Sequence, residues 1–182
     1  MPSPDYTRNG FTYSPALSAP VVGMVGGQDM TVWSDQNLTP AGTGALIQSI
    51  FRLPANAFSY TGQYIYVMAA ATTAANTNSK TLTLNWGGTG VVGGAVTGGT
   101  TIATIATTTS AAALVAYAYI YKMGANSQQC WGFTQTGTAL TAPSVNATTV
   151  TDTAAIQLNL VVNNATAAGD STVQFYIVQF YS

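Results

Sequence analysis

The chain has 182 residues, of which 47% are hydrophobic and only 5% charged, with a formal net charge of -1 and neither histidine nor glutamate. Without those two residue types the usual carriers of general acid–base catalysis and metal ligation are mostly missing, so an enzyme, a cofactor and a metal site are not expected. The near-neutral balance also excludes a long-range field that would gather nucleic acid or an anionic membrane.

The remaining acids are Asp5, Asp29, Asp35, Asp152 and Asp170, and the cations are Arg8, Arg52, Lys80 and Lys122. Apart from Asp5 and Arg8, no opposite pair falls within one helical turn or hairpin, and no acidic loop has the alternation of a Ca²⁺ site. No run approaches the roughly 20 apolar residues of a membrane-spanning helix, and the first residues lack the layout of a signal peptide. Cys130 has no partner for an internal disulfide and reads as a small core residue of a strand. Weak self-repulsion suits a subunit that hides much of its surface in an assembly.

Residues 1–45 hold Pro2, Pro4, Pro15, Pro20 and Pro40 among many glycines, a spacing that forbids a helix of useful length. This predicts an extended N-terminal arm. Its Val21, Val22, Met24, Val25, Val32 and Trp33 are more apolar than a solvated linker, so the arm should lie on its own domain or on a neighbour.

From residue 46 to 182 the pattern changes to short period-two runs with turn residues between them. Strands are predicted over 46–53, 63–69, 80–86, 112–123, 129–134, 154–162 and 172–181, with weak runs over 91–96 and 101–107. The alanine-rich stretch 69–75 reads as a loop. In the clearest run, Leu82, Leu84 and Trp86 share one face while Thr81, Thr83 and Asn85 share the other. The fold class expected is all-β, an antiparallel β-sandwich of the jelly-roll kind.

Gly88-Thr-Gly90-Val-Val-Gly93 follows a strand and fits a dinucleotide-binding pattern. Gly94, Gly98 and Gly99 follow where a helix should open, and no acid stands about 20 residues on, so a glycine-rich turn is the better reading. No histidine is present to activate a serine nucleophile.

The most informative surface signal is the run 112–123. Alternation puts Tyr117, Tyr119 and Tyr121 on one face and Leu114, Ala116, Ala118 and Ile120 on the other, so both faces are buriable. The last strand is similar, with Val173, Phe175, Ile177 and Tyr181 on one side and Tyr176, Val178 and Phe180 on the other. Tyr117, Tyr119, Tyr121, Tyr176 and Phe180 are therefore the candidate subunit interface, since a two-layer sandwich covers one face of each sheet and interfaces favour tyrosine. The arm is the alternative cover.

Phe51-Arg-Leu-Pro-Ala-Asn56, Gly62-Gln-Tyr-Ile-Tyr-Val67 and the stretch from Ala74-Ala-Asn-Thr-Asn-Ser-Lys80 to Gly87-Gly88-Thr89 together resemble a pattern in jelly-roll virion proteins of tailed bacteriophages. The resemblance covers about residues 46–90. It implies a homotrimer similar to tumour-necrosis-factor-like trimers, placed on the capsid surface as a decoration or cement protein with the major capsid protein as partner. A fibre or spike head that binds host surface glycan is the alternative it leaves open. An ice-binding solenoid, suggested by the Thr, Ala and Gly content, lacks a fixed repeat period.

Overall fold

The computed structural model describes residues 6–8, 11–13, 30–108 and 112–181. Strands β1 (Tyr6–Arg8) and β2 (Phe11–Tyr13) pair in a two-stranded ribbon. The sandwich is built from β3 (Met30–Leu38), β4 (Gly44–Leu53), β5 (Tyr64–Thr73), β6 (Lys80–Trp86), β7 (Thr100–Thr107), β8 (Ala113–Gly124), β9 (Ser127–Thr136), β10 (Ala139–Leu140), β11 (Ser144–Thr148), β12 (Ile156–Asn164) and β13 (Ser171–Tyr181). No helix occurs among the described residues.

The larger sheet runs β10-β9-β8-β5-β13-β3, with β11 also on β9, and the smaller runs β4-β12-β6-β7. All their ladders are antiparallel. The chain passes from β3 to β4 to β5 to β6 by crossing between sheets each time, and β12 to β13 crosses again. That interleaving, with β3-β13-β5-β8 facing β4-β12-β6-β7, is the jelly roll. Strands β9 to β11 form a hairpin extension of the larger sheet.

Alternation places the core. Leu82, Leu84 and Trp86 of β6, Leu158 and Leu160 of β12, Val67 and Ala69 of β5, and Ala116, Ala118 and Ile120 of β8 belong to one buried cluster between the sheets. Phe58, in the β4–β5 connection, fills one end, edge-on to Trp86 at 6.2 Å and to Phe180 at 6.0 Å between ring centroids. Tyr176 is fully buried, and its hydroxyl donates to the Leu158 carbonyl at 3.0 Å, which joins the sheets by a polar contact inside an apolar core.

Four sequence expectations change here. Residues 30–38, counted with the arm, are the edge strand of the larger sheet, paired with β13. The stretch 69–73, expected as loop, continues β5, because its alanines alternate inward against the core at Ala69 and Ala71. The weak run 91–96 is no strand: its Val91 and Val92 are exposed in a turn whose Gly93 and Gly94 hydrogen-bond Ile47 on the edge of β4. Finally, a bulge between Val173 and Phe175 shifts the alternation of β13, so Val173 faces inward with Tyr176, not outward with Ile177.

Candidate functional site

The register of three ladders collects the aromatic residues on the outer face of the larger sheet. Between β5 and β8, Tyr64 lies opposite Tyr121, Tyr66 opposite Tyr119 and Met68 opposite Tyr117. Between β8 and β9, Tyr117 lies opposite Phe133 and Tyr119 opposite Trp131, while Tyr181 of β13 lies opposite Tyr64. Directly opposed residues point to the same side of a sheet, so period two on each strand becomes one continuous patch across four.

The rings order one another. Tyr64 stacks on Tyr181 at 4.3 Å and Tyr117 on Phe133 at 4.9 Å, each pair within 7° of parallel. Tyr66 and Tyr119 tilt together at 5.0 Å, and the Tyr66 hydroxyl donates to Met68 Sδ at 3.3 Å. Burial, with the neighbouring Tyr119 and Tyr117 hydroxyls, raises the Tyr66 pKa, so Tyr66 stays neutral at physiological pH. Trp131 and Met123 remain 40% and 57% exposed at its rim. A hollow of about 420 Å³ opens between Tyr119, Tyr121, Trp131 and Phe133. Chemically the face offers stacking, apolar burial and phenol hydrogen bonds, with no base or nucleophile.

Tyr117, Tyr119 and Tyr121 stand on this face as the alternation predicted. Tyr176 and Phe180 do not. Both point between the sheets, 0% and 2% exposed, so they are core residues and no surface is left on them for a subunit contact. Sequence reasoning also passed over Tyr64, Tyr66, Trp131, Phe133 and Tyr181 as interface candidates. The signal was present in Tyr64-Ile-Tyr66 and Trp131-Gly-Phe133, which repeat the spacing of Tyr117-Ala-Tyr119.

Of the arm contacts, Val21, Val22, Met24 and Val25 lie outside the described residues, and for Val32 only the backbone, within β3, is described. Trp33 Nε1 donates to Ser49 Oγ at 3.1 Å and to Asp35 Oδ2 at 3.2 Å, and Ser49 Oγ donates to the same carboxylate oxygen. This contact ties edge strand β3 to edge strand β4 of the other sheet.

The glycine-rich segment after β6 is a packed turn on the outer face of the smaller sheet. Gly90 N donates to Gln157 Oε1, and Asn159 Nδ2 donates to the Gly88 carbonyl. The Gly90 N–H, and the Gly88 N–H that donates to Asn85 Oδ1, are thus taken where a phosphate loop would leave its N–H groups open.

Two charged clusters lie elsewhere. Asp170 accepts from Asn76 Nδ2 at 2.7 Å and Asn78 Nδ2 at 2.8 Å, while the fully buried Lys80 donates to the Asn76 carbonyl at 2.7 Å. At the opposite end of the sandwich Lys122 meets Asp152. Among the described residues no three His, Cys, Asp or Glu side chains gather as a metal site.

No family model matches the chain, and no curated protein matches it. Among solved structures, a chain of the "Structure of infectious bursal disease virus Gx strain" is similar with a TM-score of 0.31 and 14% identity, over 98% of this chain and 36% of that one. The present chain thus spans about a third of its length.

Proposed function

We propose that this chain is a structural virion protein, a capsid decoration subunit that self-associates through the outer aromatic face of its larger sheet and binds the phage head. The observation that carries the reading is the continuous patch of Tyr64, Tyr66, Tyr117, Tyr119, Tyr121 and Phe133 on a sandwich whose core is already closed on its other side. Rings already ordered by stacking lose little side-chain entropy on association, and burying what each half-buried ring still exposes contributes part of the roughly 1.5–3 kcal/mol of a full burial, which helps offset the cost of joining two bodies. The low charge fits a subunit that hides surface. A homotrimer and the major capsid protein as partner are what the sequence resemblance implies.

Light scattering of the purified chain should give the mass of a trimer, and a monodisperse monomer at micromolar concentration would remove the proposal. Tyr119→Asp places a carboxylate in the middle of the patch, where an unpaired buried charge costs several kcal/mol. It should yield a folded monomer that no longer sediments with undecorated capsids.

A second reading, a fibre or spike head for host glycan, is favoured by the hollow between Tyr119, Tyr121, Trp131 and Phe133, whose walls suit the apolar face of a sugar ring. Saturation-transfer NMR separates the two. Glycan signals quenched by Tyr119→Asp in a chain that stays monomeric would support this reading over decoration.

A further inference from the structure

Lys122 sits on the inner face of β8, 2% exposed, and its Nζ lies 5.9 Å from the centre of the Phe58 ring. Its polar neighbour is Asp152 Oδ2, with which it is in direct contact, yet Nζ makes no hydrogen bond of proper geometry. An ammonium carries three donors, and burying one beside a single carboxylate oxygen and a ring leaves most of them unmet. Burial accordingly pulls the Lys122 pKa down, toward the neutral amine.

Both partners are held in place by main-chain bonds. Lys122 N donates to the Gln63 carbonyl and Gly62 N donates to the Lys122 carbonyl, each at 2.9 Å. Asp152 N donates to Asn126 Oδ1 at 3.0 Å, Asn56 N donates to the Asp152 carbonyl at 2.9 Å, and Asn126 N donates to Asp152 Oδ2 at 2.8 Å. Such fixing replaces a search in solution with a standing contact between the amine and the carboxylate.

We propose that Lys122 and Asp152 condense to an intramolecular isopeptide bond. Nζ first passes a proton to Oδ1 of the Asp152 carboxylate, and the lone pair of the resulting amine attacks Cγ, forming the Cγ–Nζ bond. The Asn126 N–H stabilises the charge that develops on Oδ2. The Oδ1 hydroxyl then takes a proton from Nζ and leaves as water, so an amide with one N–H remains and no oxidant is consumed. Relative to the ion pair, the product removes a buried ammonium and its part-exposed carboxylate partner at once. It also clasps β8 to the β11–β12 connection, restricting the unfolded chain as a disulfide would in a protein whose one cysteine cannot form one.

Intact-mass spectrometry and chymotryptic mapping of the full-length chain test this directly. The expected result is a mass lower than the sequence by one water, with the Lys122 and Asp152 peptides released as one branched species whose fragments place the bond between Nζ and Cγ. Lys122→Arg should have the full sequence mass. Separate, unmodified Lys122 and Asp152 peptides in the wild-type chain would overturn the proposal, and so would a water deficit that persists in Lys122→Arg, since that points to dehydration at an aspartate alone.

Discussion

Asp170 shows how one side chain can hold two connections together. The Asn76 and then the Asn78 amide donate to its carboxylate and keep its pKa below the usual range, with a smaller contribution from Lys80. Because the folded state binds its proton less readily than the unfolded chain, this stabilisation is complete above the ordinary aspartate value near 4 and is lost as pH falls through the depressed folded value. Thermal melts from pH 7 to pH 2 should show the wild-type midpoint falling in that acid window. Asp170→Asn should melt lower at pH 7 and depend less on pH below 4, and parallel pH curves for the two chains would show that the carboxylate is not the source. Cys130 is the opposite case: burial pushes its thiol up to about 12, as suits a core residue. Asp170 closes the turn before β13, where its N–H donates to the Ala167 carbonyl at 3.3 Å. Its side-chain partners stand more than 90 positions away, and Lys122 and Asp152 are likewise separated by β9 to β11, so neither cluster could be read from local spacing.

At the scale of elements, legibility followed packing. Lys80–Trp86 was read with its true bounds because Leu82, Leu84 and Trp86 alternate cleanly with polar residues, and all three are buried. The segment 91–96 misled because exposed Val91 and Val92 imitate a strand, while the cause of its shape is close backbone approach. A Cβ on Gly88 would lie 2.8 Å from the Gly98 carbonyl oxygen and would also strike Asn85 Oδ1, whose own bond to Gly88 N shapes the turn. Gly88→Ala should therefore cost about 1–3 kcal/mol by overpacking, equivalent to a few degrees of melting temperature in a domain of this size. Because the turn lies on the smaller sheet, away from the aromatic face, the self-association measured by light scattering should be unchanged. The candidate interface was half legible for a related reason: period two revealed the tyrosines of β8, but only register brings β5, β9 and β13 beside them, and only the bulge after Val173 fixes which residues of β13 face outward.

For the whole molecule, the sequence suggests an arm ending at residue 45, whereas the pairing makes β3 part of the sandwich. Removing residues 1–29 leaves β3 on β13 and retains the Trp33 bridge to Ser49. Removing residues 1–44 takes away both, uncovering the backbone edge of β13 and leaving Ser49, itself 1% exposed, without its partners Trp33 and Asp35. An uncovered edge beside an aromatic face is a template for edge-to-edge association. The shorter truncation should keep the β-rich circular dichroism spectrum and a cooperative melt. The longer one should aggregate or melt far lower. If the first 29 residues grip the shell, the shorter truncation should also lose co-sedimentation with undecorated capsids while still forming trimers, which separates attachment from self-association. A truncation at 44 as stable as the full chain would show that β3 contributes nothing to the sandwich, and a truncation at 29 that still binds capsids would move attachment onto the jelly roll itself.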